Sequence, residues 1–237
     1  MPKKLELTPR LQLLADWVPQ GAKFADVGTD HAYLPVWLVL HGRVSSAIAS
    51  DLRKGPLERA KGTGRTYGAE GIDYRLGDGL AFIRPEEADT IAIAGMGGEN
   101  IVSILEAAPW TADGQHTLLL SPHTKAESLR RFLMEHGYEI LREALVRDRG
   151  TLYPVMEVRA GEMTLSTGQL YGGAKLLHDP LSERYIIEKI IRLQGAVVGA
   201  ARSERAEDRE KADGLRDILT ALLELREEWR HANCPRN

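Results

Sequence analysis

Between residues 23 and 136 the chain alternates short apolar runs with longer amphipathic stretches, and this rhythm restricts the fold more than any other feature. The runs Lys23–Val27, Ser46–Ser50, Ile72–Leu76, Thr90–Ala94 and Thr117–Ser121 have the length of strands. Helical spacing predicts helices over Ala32–His41, Gly55–Tyr67, Glu99–Ala107 and Lys125–His136, with a weak turn near Leu80–Ile83. Strands that alternate with helices imply a mostly parallel sheet covered on both faces. A further helix opens at Thr8-Pro9, where Thr8 caps and Pro9 fits the first turn, and Pro19-Gln20-Gly21 ends it. After Gly137 the period changes. Tyr138–Arg147 and Thr151–Arg159 read as two strands joined at Asp148-Arg149-Gly150, so the α/β sheet is expected to end in an antiparallel strand pair.

Beyond Pro180 the texture is purely helical. Tyr185, Ile186, Ile187, Ile190, Ile191 and Val197 share one broad face, and Leu215, Ile218, Leu219, Leu222, Leu223, Leu225 and Trp229 share another. Two long helices packed antiparallel are predicted, separated by the charged string SERAEDREK. From residue 183 on there are 11 Lys+Arg and 11 Asp+Glu, which suits either a solvated surface or a docking arm for a large substrate. The expected division is therefore a main domain over 1–160, with the connector and helical pair over 161–237.

The single cysteine, Cys234, excludes an intrachain disulfide and a thiolate metal site. No metal is expected. The start, MPKKLELTPRLQLL, has no long apolar segment and no run of about 18 apolar residues occurs, so a cytoplasmic protein without membrane contact is expected. Net charge is −3, and a nucleic-acid partner would therefore need local basic patches.

The first strand runs into Asp26-Val27-Gly28-Thr29-Asp30. A dinucleotide fold would show G-x-G-x-x-G here. Instead the second glycine position holds Asp30, and no third glycine follows. Two carboxylates beside a pyrophosphate would cost several kcal/mol. S-adenosyl-L-methionine has no phosphate and carries an ammonium and a sulfonium, so Asp26 and Asp30 suit it; Asp30 could equally cap the helix at Ala32. Asp51 ends the second strand, placed to accept hydrogen bonds from ribose hydroxyls. Asp78 ends the third between Gly77 and Gly79, where an adenine edge would lie. The fourth ends in Ala94-Gly95-Met96-Gly97-Gly98, which suits either a close ligand or a tight turn.

The strings ADVGTDHAYLP, ASDL with GPLERA, RLGDGL and IAIAGMGG together resemble the bacterial tRNA (adenine-N1)-methyltransferase family of the TrmK type, over nearly the whole chain. The resemblance implies a Rossmann-like class I methyltransferase fold with a coiled-coil-like C-terminal helical pair. It implies methyl transfer from S-adenosyl-L-methionine to N1 of adenine 22 in the D-arm of tRNA. The implied cofactor site is Asp26, Gly28, Asp30, His31, Asp51, Leu52, Asp78, Gly79, Gly95, Met96, Gly97 and Gly98. One departure is Ser121-Pro122-His123, where a Gln-Pro-Asn-like string is expected. Asp30 and His31 are the catalytic candidates: a carboxylate would stabilise the cationic product base, and the null role for His31 is that of a loop histidine bonded to backbone. Tyr33 and Met96 either wall the base or belong to the core. Contacts to tRNA are expected from Arg10, Tyr33, His123, Lys125, Arg130 and Arg131. Further basic residues lie at Lys3 and Lys4, at Arg142, Arg147 and Arg149, and at Arg192 and Arg202; each group is otherwise ordinary solvated surface. A monomer or weak dimer is expected. Other readings are a class I methyltransferase for another RNA, a protein or a small molecule, and a non-catalytic S-adenosylmethionine- or RNA-binding protein.

Overall fold

A computed structural model describes residues 4–201 and 206–233. Lys3, Arg202, Cys234 and the first three residues of SERAEDREK lie outside them. The chain divides into two compact units between Met163 and Thr164.

The first unit is built on a seven-stranded sheet of order β3-β2-β1-β4-β5-β7-β6. Its strands are β1 (Ala22–Val27), β2 (Val44–Asp51), β3 (Ile72–Leu76), β4 (Thr90–Ala94), β5 (Thr117–Ser121), β6 (Tyr138–Asp148) and β7 (Thr151–Ala160). The first five pair in parallel, and β7 runs antiparallel to both β5 and β6. Central β5 is buried along its whole length, whereas edge strand β3 is not, and this matches the apolar content of LLL against IDYRL. The β6–β7 hairpin turns at Arg149-Gly150, both at positive φ (47° and 85°), the conformation that a tight two-residue hairpin turn demands.

Helices α1 (Pro9–Trp17), α2 (Tyr33–Leu40) and α3 (Lys54–Tyr67) precede or connect β1 to β3, and α4 (Gly98–Glu106) and α5 (Ala126–Glu135) follow β4 and β5. Strand order reverses between β1 and β4. Right-handed crossovers therefore place the two helix sets on opposite faces, and the β1/β4 border becomes the topological switch point. One core joins Leu14 of α1 and Val18, just after it, to Phe24, Leu34, Leu38, Ala92, Leu119 and Val155, so the N-terminal helix seals one sheet face. Thr8 caps α1 by accepting from the Leu11 amide. The expected turn after β3 is present at Leu80–Ile83, and a single 3-10 turn at Pro85–Glu87 follows it.

The second unit holds α6 (Thr167–Gly172), α7 (Ser182–Ala201) and α8 (Ala206–Asn233). The sequence reading passed over α6 as connector, although Ser166 and Gln169 form a capping box at its start. Gly168 lets α6 approach α8: a Cβ there would lie 2.7 Å from the Ala221 carbonyl oxygen. The long helices bury a narrower stripe than expected. Tyr185, Ile186, Ile190, Leu222, Leu225 and Trp229 are buried, while Ile191 and Leu223 face outward. Among the described residues no helix is long and apolar enough to cross a membrane, and no group of three or more His, Cys, Asp or Glu could hold a metal ion.

Candidate active site

The strand ends at the switch point are laced together by backbone. The amides of Gly28 and Thr29 both donate to the Ser50 carbonyl at 2.9 Å, and Gly77 donates to the Asp51 carbonyl at 3.0 Å. Across the border Gly95 donates to Ser121, His123 to Met96, and Gly98 to Thr124. These bonds hold open a cavity of about 630 Å³ along the carboxyl ends of β1 to β4.

Its walls include Gly28, Asp30, Asp51, Leu52, Asp78, Gly79, Gly95 and Met96, eight of the twelve residues expected around a cofactor. Asp51 is buried. One of its carboxylate oxygens accepts from the Arg53 amide at 2.9 Å and the other from the Asp30 amide at 3.4 Å, so the group is held rigid at the end of β2. Asp78 stands exposed at the end of β3. Gly28 adopts φ +75°, a conformation that favours glycine, and a Cβ there would also lie 2.6 Å from the Met96 methyl, which would have to move. Leu52 is 62% exposed at the mouth, and Phe82, equally exposed, lies over Gly77.

The other four expected residues stand elsewhere. Asp26 is buried beneath the loop, where it accepts from the Thr29 hydroxyl. Burial raises its carboxyl to about 6, against the opposing pull of Thr29 and Arg10. Gly97 and Gly98 serve the turn itself: a Cβ on Gly98 would strike the Lys125 carbonyl oxygen at 2.1 Å. His31 lies outside the cavity wall, stacked on Tyr33 at 5.3 Å between ring centres, with Nε2 3.7 Å from Asp30.

Asp30 differs from the expectation of a carboxylate open to a cationic ligand. Its side chain is half exposed and pairs with the Arg59 guanidinium of α3, a partner that the sequence did not reveal. It does not cap α2, which begins after Ala32 with no side-chain cap.

Of the residues expected to touch RNA, Arg130 must be corrected. It is wholly buried in α5, with Nε and Nη2 at 3.1 Å and 2.6 Å from Glu143 of β6, and cannot reach a phosphate. Lys125 and Arg131 are exposed, as is His123. Arg10 is mostly buried beside Tyr153 and Asp148.

Sequence reasoning missed Asn100, Ser103 and Ile104 of α4, which line the cavity. Their spacing, three and four residues apart after the glycine turn, was the available signal. It also missed Tyr153, for which no local signal existed, because β7 reaches the site only through the antiparallel return.

The family described as methyltransferase domain matches residues 7–156. The tRNA (adenine(22)-N(1))-methyltransferase of Bacillus subtilis (strain 168) is 40% identical over 177 residues, 71% of this chain and 74% of that protein. The chain belongs to this methyltransferase family. The crystal structure of the B. subtilis m1A22 tRNA methyltransferase TrmK superposes with a TM-score of 0.85 at 33% identity, covering 93% of this chain and 99% of that one. Streptococcus pneumoniae Sp1610 in complex with S-adenosyl-L-methionine gives 0.81 at 33% identity, covering 92% and 99%. The class I methyltransferase fold and S-adenosylmethionine as cofactor follow for this family member. Its own residues fit that ligand: a buried, hydrogen-bonded carboxylate at the end of β2, an exposed one at the end of β3, and apolar Leu52 at the mouth.

Proposed function

We propose that the protein methylates N1 of adenine 22 in the D-arm of tRNA, with S-adenosyl-L-methionine as donor. The observation that supports this most is the cavity itself, with acids at its β2 and β3 end and bare glycine backbone at its β4 end. Asp51 is suited to accept both ribose hydroxyls, and Asp78 to border the purine, with Leu52 and Phe82 as its apolar cover. The cofactor supplies a methyl carbon activated by a sulfonium.

Adenine N1 offers a lone pair and needs no base to attack, so the chain's task is to position the reactants and place charge. Asp30 is the catalytic candidate at the rim, with His31 beside it. Its carboxylate opposes the positive charge that grows on the base, and Arg59 holds it in place. Removing Arg59 should therefore loosen Asp30 without removing the carboxylate. Reaching the target requires the base to leave its stack. Lys125, Arg131 and Tyr33, all exposed, are the proposed tRNA contacts of the first unit, whereas Arg10 is too buried to be one. The protein acts in the cytoplasm as a monomer or weak dimer.

Mass mapping of nucleosides in tRNA incubated with protein and cofactor tests this. N1-methyladenosine at position 22 is expected. No methylation, or methylation elsewhere, refutes it.

A further inference from the structure

Along the sheet edge from β3 to β7, the cavity ends at β4. Beyond it the same edge carries two rings, with the buried acid Asp148 at the end of β6. His123 follows β5 and Tyr153 lies in β7, with ring centres 4.8 Å apart and planes tilted by 41°. His123 is exposed and Tyr153 half-buried, so solvent reaches the pair. The His123 amide donates to the Met96 carbonyl at 2.8 Å, which ties the ring to the cavity wall.

Arg10 stands behind the pair. Its guanidinium carbon is 5.6 Å from the Tyr153 ring centre. A Cβ built on Gly95 would lie 3.7 Å from two of its nitrogens and 3.9 Å from His123 Cε1. Its Nε and Nη1 are buried and donate no hydrogen bond; the Asp148 carboxylate is 3.9 Å from Nε. Burying a guanidinium with unpaired nitrogens is unfavourable, and simple packing does not require it.

We propose that the His123–Tyr153 pair is the surface on which the flipped-out adenine stacks, with Arg10 as the positioning residue behind it. The proposal rests on the tRNA reading above. Stacking on aromatic rings is the general way proteins hold an unstacked base. Here it does more than hold. N1-methyladenine is a cation, and the face of a neutral aromatic ring attracts a cation. The stack therefore tightens as charge develops, and it binds the transition state better than the ground state.

That gain requires an unprotonated His123. Burial first, and then the Arg10 charge, hold its imidazole below the ordinary value, while Asp148 pulls the other way. The groups around it are Arg10 from α1, Asp148 from β6 and Tyr153 from β7, with Lys125 on its own loop. Asp26 of β1 and Arg149 of the hairpin turn act on Arg10 in turn. The Arg10 guanidinium is mostly buried over the Tyr153 ring, and Asp148 and Asp26 offset its charge.

The test is single-turnover methylation of unmodified tRNA at saturating tRNA and cofactor. His123→Ala and Tyr153→Leu should each slow transfer roughly 10- to 100-fold, the scale of one lost base–ring stack, with S-adenosylhomocysteine affinity unchanged. Tyr153→Phe, which keeps the ring, should retain the wild-type rate. Arg10→Met should move the acid limb of the rate–pH profile to higher pH, because His123 then protonates more readily; a purely structural Arg10 would lower the rate equally at every pH. If Tyr153→Leu melts below the assay temperature, the exposed His123→Ala decides alone. Wild-type rates for His123→Ala and Tyr153→Leu overturn the proposal. So does a loss confined to His31→Ala and Tyr33→Leu, which would put the base on the stacked pair beside β1. Absence of methylation by the wild-type protein refutes the functional reading instead, and this proposal with it.

Discussion

Arg130 and Arg131 are neighbours in sequence with opposite environments, and replacing each in turn separates fold from function. Arg130 and Glu143 have fully buried side chains, joined at 2.6 Å and 3.1 Å. Arg130→Ala removes the cation and leaves a carboxylate in the interior. Breaking a buried pair from one side costs about 3–5 kcal/mol. For a unit of this size each kcal/mol moves the midpoint by roughly 2–4 °C, so melting should fall by roughly 6–20 °C. The double replacement Arg130→Met with Glu143→Leu removes both charges and fills the volume, so most of that loss should return. Arg131→Ala should leave melting unchanged, because its side chain is in solvent. Melting followed by circular dichroism, with tRNA affinity measured on the folded variants at several salt concentrations, gives both readouts. An Arg130→Ala protein with wild-type melting and weakened tRNA binding would refute the assignment of Arg130 to the core.

Asp51→Ala should weaken S-adenosylhomocysteine binding by about 1.5–3 kcal/mol, read by calorimetry, since it removes charge-assisted bonds to the ligand; unchanged affinity would make Asp51 a strand-end residue only. Asp26 has a carboxyl raised from 3.8 to about 6, so the fold favours its protonated form. The resulting cost is absent below about pH 4, grows as pH rises from there to about 6 and is constant above, reaching about 3 kcal/mol by linkage; the stability of the wild type relative to Asp26→Asn should fall by that amount between about pH 4 and 6, and a flat difference in denaturant midpoints would contradict it. Gly28→Ala forces a side chain into a left-handed conformation and against Met96; a stability loss of about 1–2 kcal/mol and weaker cofactor binding are expected, and wild-type values for both would argue against the β1–β4 close approach. Arg192→Glu with Arg202→Glu should weaken tRNA binding and make its salt dependence shallower by about two phosphate contacts; wild-type methylation across a salt series would remove both arginines from the RNA surface.

The strands, the antiparallel pair that closes the sheet and the residues that line the cavity at the strand ends were legible because each depends on local chemistry. A strand ends, an acid or glycine follows, and the neighbouring backbone fixes where it points. Asp51, Asp78 and Gly28 are all of this kind. What escaped depends on pairing across the fold. Nothing in RRFL says that Arg130 turns inward and Arg131 outward until Glu143 is placed opposite by β6. Asp30 reads as a free carboxylate until α3 brings Arg59 to it, 29 residues further along. Gly97 and Gly98 were legible as close contacts, and what they approach is the next loop: the Thr124 hydroxyl lies nearest a Cβ on Gly97 and the Lys125 carbonyl nearest one on Gly98. In the helical unit the broad apolar stripe overstated what is covered, since Ile191 and Leu223 stand outside the seam.

The two ends of the site divide the electrostatic work. At the ends of β2 and β3 the proposed partners of the cofactor are carboxylates, and Asp51 is already desolvated and oriented by two backbone amides, so little reorganisation is left for binding there. Asp30, proposed at the rim, gains attraction for the base directly as positive charge forms on it, but does nothing to hold the neutral ring. Neutral ring faces behave differently: they hold adenine by stacking and gain attraction only as the cation appears. The placement of Arg10 follows from this need. The buried cation disfavours protonation of His123, while Asp148 and Asp26 favour the charged form of Arg10. Moving that charge to the open face would oppose methyl transfer, which is why Arg10→Met is expected to change the pH profile and not only the stability.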